Sequence, residues 1–152
     1  MTEKDKNNQV LLKQNWELLM RSQNSLKLSV EKVSDIGRKD DYTFEELESF
    51  DSLTSKFART SDIFLQKIIR TIWALLHETT MPLIDVLNKA EKLGIIASSD
   101  QLIEIRDIRN QIAHEYLPEA IQELVPEVIE LSKQLETNIQ TCKWFISQRK
   151  WM

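Results

Sequence analysis

The apolar positions of this chain fall on helical faces. From about Asn8 to Ile36, Leu12, Trp16, Leu19, Leu26, Val30 and Val33 follow at steps of three and four, with Gln23 in the one gap. That spacing puts them on one side of a helix, as a seam suited to antiparallel packing. Gly37 stands where a C′ glycine stops a helix, and Arg38-Lys39-Asp40-Asp41 reads as a charged connection. Thr43 and Glu46 then form a Thr-x-x-Glu capping box, which supplies two hydrogen bonds missing at a helix start. Behind it Leu47, Phe50, Leu53, Phe57, Phe64, Ile68, Ile72 and Leu75 carry the pattern to about Leu76. A helix of that length spans roughly 50 Å. It outruns a small domain unless it bends, and Thr60-Ser61 is a place for a kink.

Pro82 closes this element, because a proline disfavours helix in the residue before it. A shorter helix from Pro82 to Leu93 presents Leu83, Val86, Leu87 and Ala90, and Gly94 caps it. Ser98 and Gln101 make a second capping box that opens a helix running toward Tyr116, which Pro118 bars from continuing. Pro126 is expected in the first turn of a last helix, after a short irregular stretch from Pro118 to Leu124. Val128, Leu131, Leu135, Ile139, Cys142 and Phe145 would line its buried face, with Gln148 to Met152 frayed. The pattern predicts one all-α domain over residues 1–152, core about 10–146, built as an antiparallel bundle of about five helices.

Composition narrows this further. Two glycines and three prolines leave few tight turns, and 41% hydrophobic with 29% charged residues is a globular balance. A net charge of −4 argues against a broad nonspecific nucleic-acid surface, though a small local phosphate site stays open. The single Cys142 makes neither an internal disulfide nor a zinc site and reads as a core thiol. The polar start Met1-Thr2-Glu3-Lys4 and the lack of any run near 18–20 apolar residues predict a soluble cytoplasmic protein, with no membrane, metal or cofactor.

Chemistry concentrates in Arg106-Asp107-Ile108-Arg109-Asn110-Gln111-Ile112-Ala113-His114-Glu115-Tyr116, which holds one of two histidines. At about 100° per residue, Ile105, Ile108, Ile112 and Tyr116 form an apolar arc. Arg109 lies at its edge, Asn110 and His114 farther round the same flank, and Arg109 and Tyr116 nearly in register. A neutral imidazole accepts a proton near physiological pH, and a guanidinium matches two phosphate oxygens. Together His114 and Arg109 could cleave RNA without metal, with Asn110 orienting the imidazole or holding a phosphate oxygen. The plainer readings stand beside this: His114 as a helix-dipole or packing residue, Arg109 paired with Asp107 or Glu115, Tyr116 as packing.

The segment Arg109-Asn110-Gln111-Ile112-Ala113-His114-Glu115-Tyr116 matches Arg-Asn-x-x-x-His-x-Tyr and resembles the signature of HEPN-domain ribonucleases, in particular the HepT toxins. Phe50 to Asp62 resembles the long second helix of that group, and the order of elements agrees over about residues 10 to 146. The resemblance implies an all-α homodimer whose motif helices face one cleft. It also implies a metal-independent endoribonuclease with Arg109 and His114 catalytic and Asn110 supporting. It further implies a toxin–antitoxin pair of type VII kind, in which an MntA-type nucleotidyltransferase antitoxin adenylylates Tyr116. RNA is then the substrate, and no DNA is expected. Some similar proteins act instead as non-catalytic nucleotide- or partner-binding subunits of nucleotidyltransferases. Asp51, Arg59 and Asp62 on the second helix are candidates to line the cleft, although Arg59 and Asp62, three apart, could simply pair. His77 reads as a helix-dipole partner, Trp16, Trp73 and Trp144 as core or dimer seam, and Trp151 as a weak base-stacking candidate.

Overall fold

The computed structural model describes residues 1–115 and 117–152. α1 (Glu3–Ile36) begins five residues before the start expected near Asn8. The Thr2 hydroxyl accepts from the Asp5 amide at 3.0 Å, and the Asp5 carboxylate accepts from the Thr2 amide at 3.2 Å. A capping box built only of polar residues leaves no mark in hydrophobic periodicity, so the pattern places this start too late. α2 (Phe44–Asp62) opens on the expected box, with Thr43 and Glu46 exchanging hydrogen bonds of 2.9 and 3.2 Å.

The chain then runs without a break through a π-helical segment, Ile63–Ile68, into α3 (Ile69–Leu75), with right-handed helical backbone at both junctions. The irregularity expected near Thr60-Ser61 is this wider coil, beginning just after them. The Thr60 and Ser61 hydroxyls return to the carbonyls of Lys56 and Phe57, each at 2.8 Å, a pattern that loosens and bends helices. Thr60 also meets Ser22 of α1 at 2.7 Å. Ile63, Phe64, Leu65 and Ile68 are all buried, so the segment is held by the core and not by its own hydrogen-bond geometry.

α3 ends with His77 at φ 58°, in a Schellman-type closure with Glu78 N–H bonding to Trp73 and His77 N–H to Ala74. Its Nε2 lies 3.2 Å from Asp5, so His77 ties this end to the start of α1. α4 (Leu83–Leu93) ends at Gly94, left-handed at φ 80°, as expected. α5 (Ser99–His114) follows, then α6 (Pro118–Gln148), one helix where a break before Pro126 was expected. Pro118 sits in the first turn, where its missing N–H costs nothing. Pro126 is exposed, and the apolar face of Ile121, Leu124, Val125, Val128 and Leu131 passes through it uninterrupted, outweighing the one lost bond.

With α2, the π segment and α3 as one rod, the described residues form an all-α antiparallel bundle of five helices. α1, α2 and α6 pack on one another, and α5 packs against α2, α4 and α6. Phe57, Phe64, Leu12 and Leu19 are fully enclosed, and Trp16 and Trp73 are buried as expected. Cys142 is buried as well, and desolvation pushes its thiol pKa up. Trp144, expected in the core or a dimer seam, is not in the core of the single chain, at 67% exposure. Residues 149–151, expected in a frayed tail, are held in place. Lys150 turns left-handed at φ 57°, the amides of Lys150 and Trp151 close onto Ser147 and Ile146, and the Trp151 ring packs edge-on against Phe145.

Candidate active site

α5 is fastened at its start. Ser98 Oγ accepts from the Gln101 amide at 3.2 Å, giving half of the expected capping box. The other half comes from elsewhere. Asn138 of α6, with no exposed surface, accepts from the amides of Ala97 and Ser98 at 3.0 Å each. Its Nδ2 donates to Gln101 at 3.0 Å and to the Gln134 carbonyl at 2.8 Å. Glu91 adds a bond from the Ser99 amide at 2.9 Å. Sequence reasoning missed Asn138, yet it had a signal: Leu131, Leu135, Asn138, Cys142 and Phe145 form one stripe, so Asn138 is a polar residue in a core position.

Leu102, Ile105 and Ile108 bury the inner side of α5, and Ile112 is partly covered. Arg109 then reaches across to Asp62, the last residue of α2. Nε donates to Oδ1 and Nη2 to Oδ2, both at 2.7 Å. The hydrogen bond to Asp62, with its charge, raises the guanidinium pKa against partial desolvation. Arg109 is thus paired with neither Asp107 nor Glu115. Asp107 takes Arg106 instead, at 2.9 Å. Asp62 likewise turns to α5, not to Arg59.

The rest of the motif faces outward. Asn110 and His114 are exposed, and neither side chain forms a hydrogen bond or ion pair with another described residue. The flank that the wheel assigned to all three divides: Arg109 points at α2, while His114 lies about 140° round the axis and about 7.5 Å farther along. The helix stops at His114, where Glu115 adopts extended backbone ahead of Pro118. The expected register of Arg109 with Tyr116 involves a residue that lies outside the described ones.

Of the second-helix candidates, Asp62 touches the motif. Arg59 is one turn earlier and exposed, with no ion pair among the described residues. Asp51 is exposed three turns earlier, about 16 Å along the axis. Four surface grooves of about 390 to 540 Å³ have none of Arg109, Asn110 or His114 in their walls. Beside the motif Leu117 is 62% exposed. Among the described residues no group of three or more His, Cys, Asp or Glu is placed to hold a metal, and no helix is long and apolar enough to cross a membrane.

Chemically, the arrangement offers a positioned guanidinium whose Nη1 stands outside the Asp62 pair, the adjacent Asn110 amide, and the His114 imidazole five residues on, the last two without a partner among the described residues. No protein-family model matches the chain, and no curated protein or solved structure matches it.

Proposed function

We propose that this protein is an endoribonuclease of the HepT-like toxin kind, acting without metal through Arg109 and His114 at a cleft between two copies of the chain. One observation carries the reading. α5 is anchored at its start and braced by Asp62, yet its last turns carry the exposed side chains of Asn110 and His114, which have no hydrogen-bond or ion-pair partner among the described residues. A rigid helix that presents unused acid–base and hydrogen-bonding groups is suited to a substrate.

In this mechanism His114 takes the proton of a ribose 2′-hydroxyl, and the 2′-oxygen attacks the adjacent phosphorus. Arg109 stabilises the charge growing on the phosphorane oxygens. The bond from phosphorus to the 5′-oxygen breaks, and that oxygen takes up a proton. The products are a 2′,3′-cyclic phosphate and a 5′-hydroxyl. One chain sends Arg109 and His114 to different sides of α5. Two chains related by a two-fold axis would set one copy's Arg109 opposite the other's His114, with a second imidazole to protonate the leaving oxygen. The exposed Leu117 beside the motif fits an apolar contact of that kind. Asn110 would orient the phosphate.

Silencing would follow from adenylylation of Tyr116 by an MntA-type nucleotidyltransferase, since an added phosphodiester competes with Asp62 for Arg109. Expression of the chain alone should arrest growth, and His114→Ala should relieve the arrest. Co-expression with the transferase should add adenylyl mass to the wild type and not to Tyr116→Phe. A second reading, a non-catalytic nucleotide- or partner-binding subunit of a nucleotidyltransferase, draws on one observation. Asp62 already neutralises Arg109, which lowers its pull on an incoming phosphate. That reading predicts tight complex formation unaffected by His114→Ala, and no growth arrest by the chain alone.

A further inference from the structure

The end of α6 differs in character from the rest of the chain. From residue 137 to residue 152 there are three basic side chains, Lys143, Arg149 and Lys150, and no acidic one, in a chain of net charge −4. Lys92 at the end of α4 adds a fourth cation, and the neighbouring Glu91 is engaged at the Ser99 amide. None of the four cations forms an ion pair with a described residue. Among them stands Trp144, 67% exposed, on a groove of about 510 Å³ whose walls include Leu93, Phe145, Gln148 and Arg149. The Arg149 guanidinium is held 4.5 Å from the Phe145 ring and 5.6 Å from the Trp151 ring. Trp151, locked by the turn at Lys150, is thus part of a fixed platform.

We infer that this tip binds a single strand of RNA, one base stacking on Trp144 and the backbone phosphates meeting Lys143, Arg149 and Lys150. Exposed indole beside unpaired cations is the combination that single strands use, because every base has a face to stack and every linkage a charge. The local positive charge in an acidic protein supplies the complementarity that the motif helix lacks. The inference deepens the ribonuclease reading by making the tip a holding site. It stands about 40 Å along α6 from the His114 end.

The test uses the full chain and a fluorescent 2′-O-methyl oligouridine dodecamer, which cannot be cut through a 2′-hydroxyl, so binding is read apart from cleavage. In anisotropy titrations Trp144→Ala should weaken binding about tenfold, and Trp144→Phe should recover part of the loss. Lys143→Ala with Lys150→Ala should lower the slope of log affinity against log salt by about 1.4. Lys32→Ala, on the exposed face of α1 and in neither site, should leave the affinity within about twofold. Unchanged binding in Trp144→Ala and in the double lysine variant overturns the inference. So does an equal loss on Lys32→Ala, or Trp144-dependent binding to phosphatidylserine vesicles without binding to the oligomer. Oligomer binding by a chain that cuts no RNA retains the tip site and removes the nuclease reading. Cleavage without Trp144-dependent binding does the reverse.

Discussion

Arg109 of α5 and Asp62 at the end of α2 form a two-point pair, Nε to Oδ1 and Nη2 to Oδ2 at 2.7 Å, across 47 residues of sequence. The two side chains remain 30% and 41% exposed, so the pair adds under about 1 kcal/mol to stability. Its consequence is orientation. A guanidinium gripped on one edge presents the other in a fixed direction, which a lysine cannot reproduce. Asp62→Ala should leave the thermal midpoint nearly unchanged while lowering RNA cleavage by roughly tenfold to a hundredfold, the range for a misplaced group. Arg109→Lys should lose activity similarly despite keeping the charge. Cleavage at the wild-type rate in Asp62→Ala would show that the pair is only a surface contact.

Asn138 fastens the start of the same helix from inside the core. Asn138→Ala strips two partly buried amides, at Ala97 and Ser98, of an acceptor that has no exposed surface of its own. The loss should be about 2–4 kcal/mol, read as a lower urea midpoint. Faster amide exchange should appear at residues 97–101. A variant as stable as the wild type would mean that another group caps α5.

Glu127 of α6 lies against Glu104 of α5. Desolvation, then the hydrogen bond and charge of Glu104, raise its carboxyl above the ordinary value of 4.5. A raised folded-state pKa gives stability that is present below the unfolded pKa and lost as pH rises through the folded one. Glu127→Gln should therefore be more stable than the wild type at pH 7, by about 0.2–0.5 kcal/mol at this screened site. The gap should close in acid below pH 4. Urea midpoints at the two pH values decide it, and a variant less stable at pH 7 contradicts the sign.

What the sequence made legible follows from what leaves a periodic trace. The Thr43–Glu46 box, the Gly94 stop and the buried stripes of α1, α2 and α6 are local patterns, and they are where spacing put them. Two elements escaped because tertiary packing overrides local preference. Pro126 sits inside α6 because the apolar face is continuous through it, and Trp151 is pinned by the turn at Lys150. In the site, residue types were legible and directions were not. At about 100° per residue Arg109 and His114 already stand about 140° apart, so one flank could not hold both, and a wheel carries no knowledge of Asp62 on another helix, which engages Arg109. Asn138 was visible only as a polar residue in an apolar stripe, and its partners lie about 40 residues away.

The central claim is that Arg109 and His114 cut RNA by way of the 2′-hydroxyl. The most direct measurement incubates the purified chain in EDTA with a labelled RNA and with the same RNA carrying 2′-deoxyribose at the cut position. Wild type should cleave the first to a 2′,3′-cyclic phosphate end and spare the second, and His114→Ala and Arg109→Ala should each lose at least about a hundredfold in rate. No cleavage by wild type, or equal cleavage by wild type and both variants, would contradict the account.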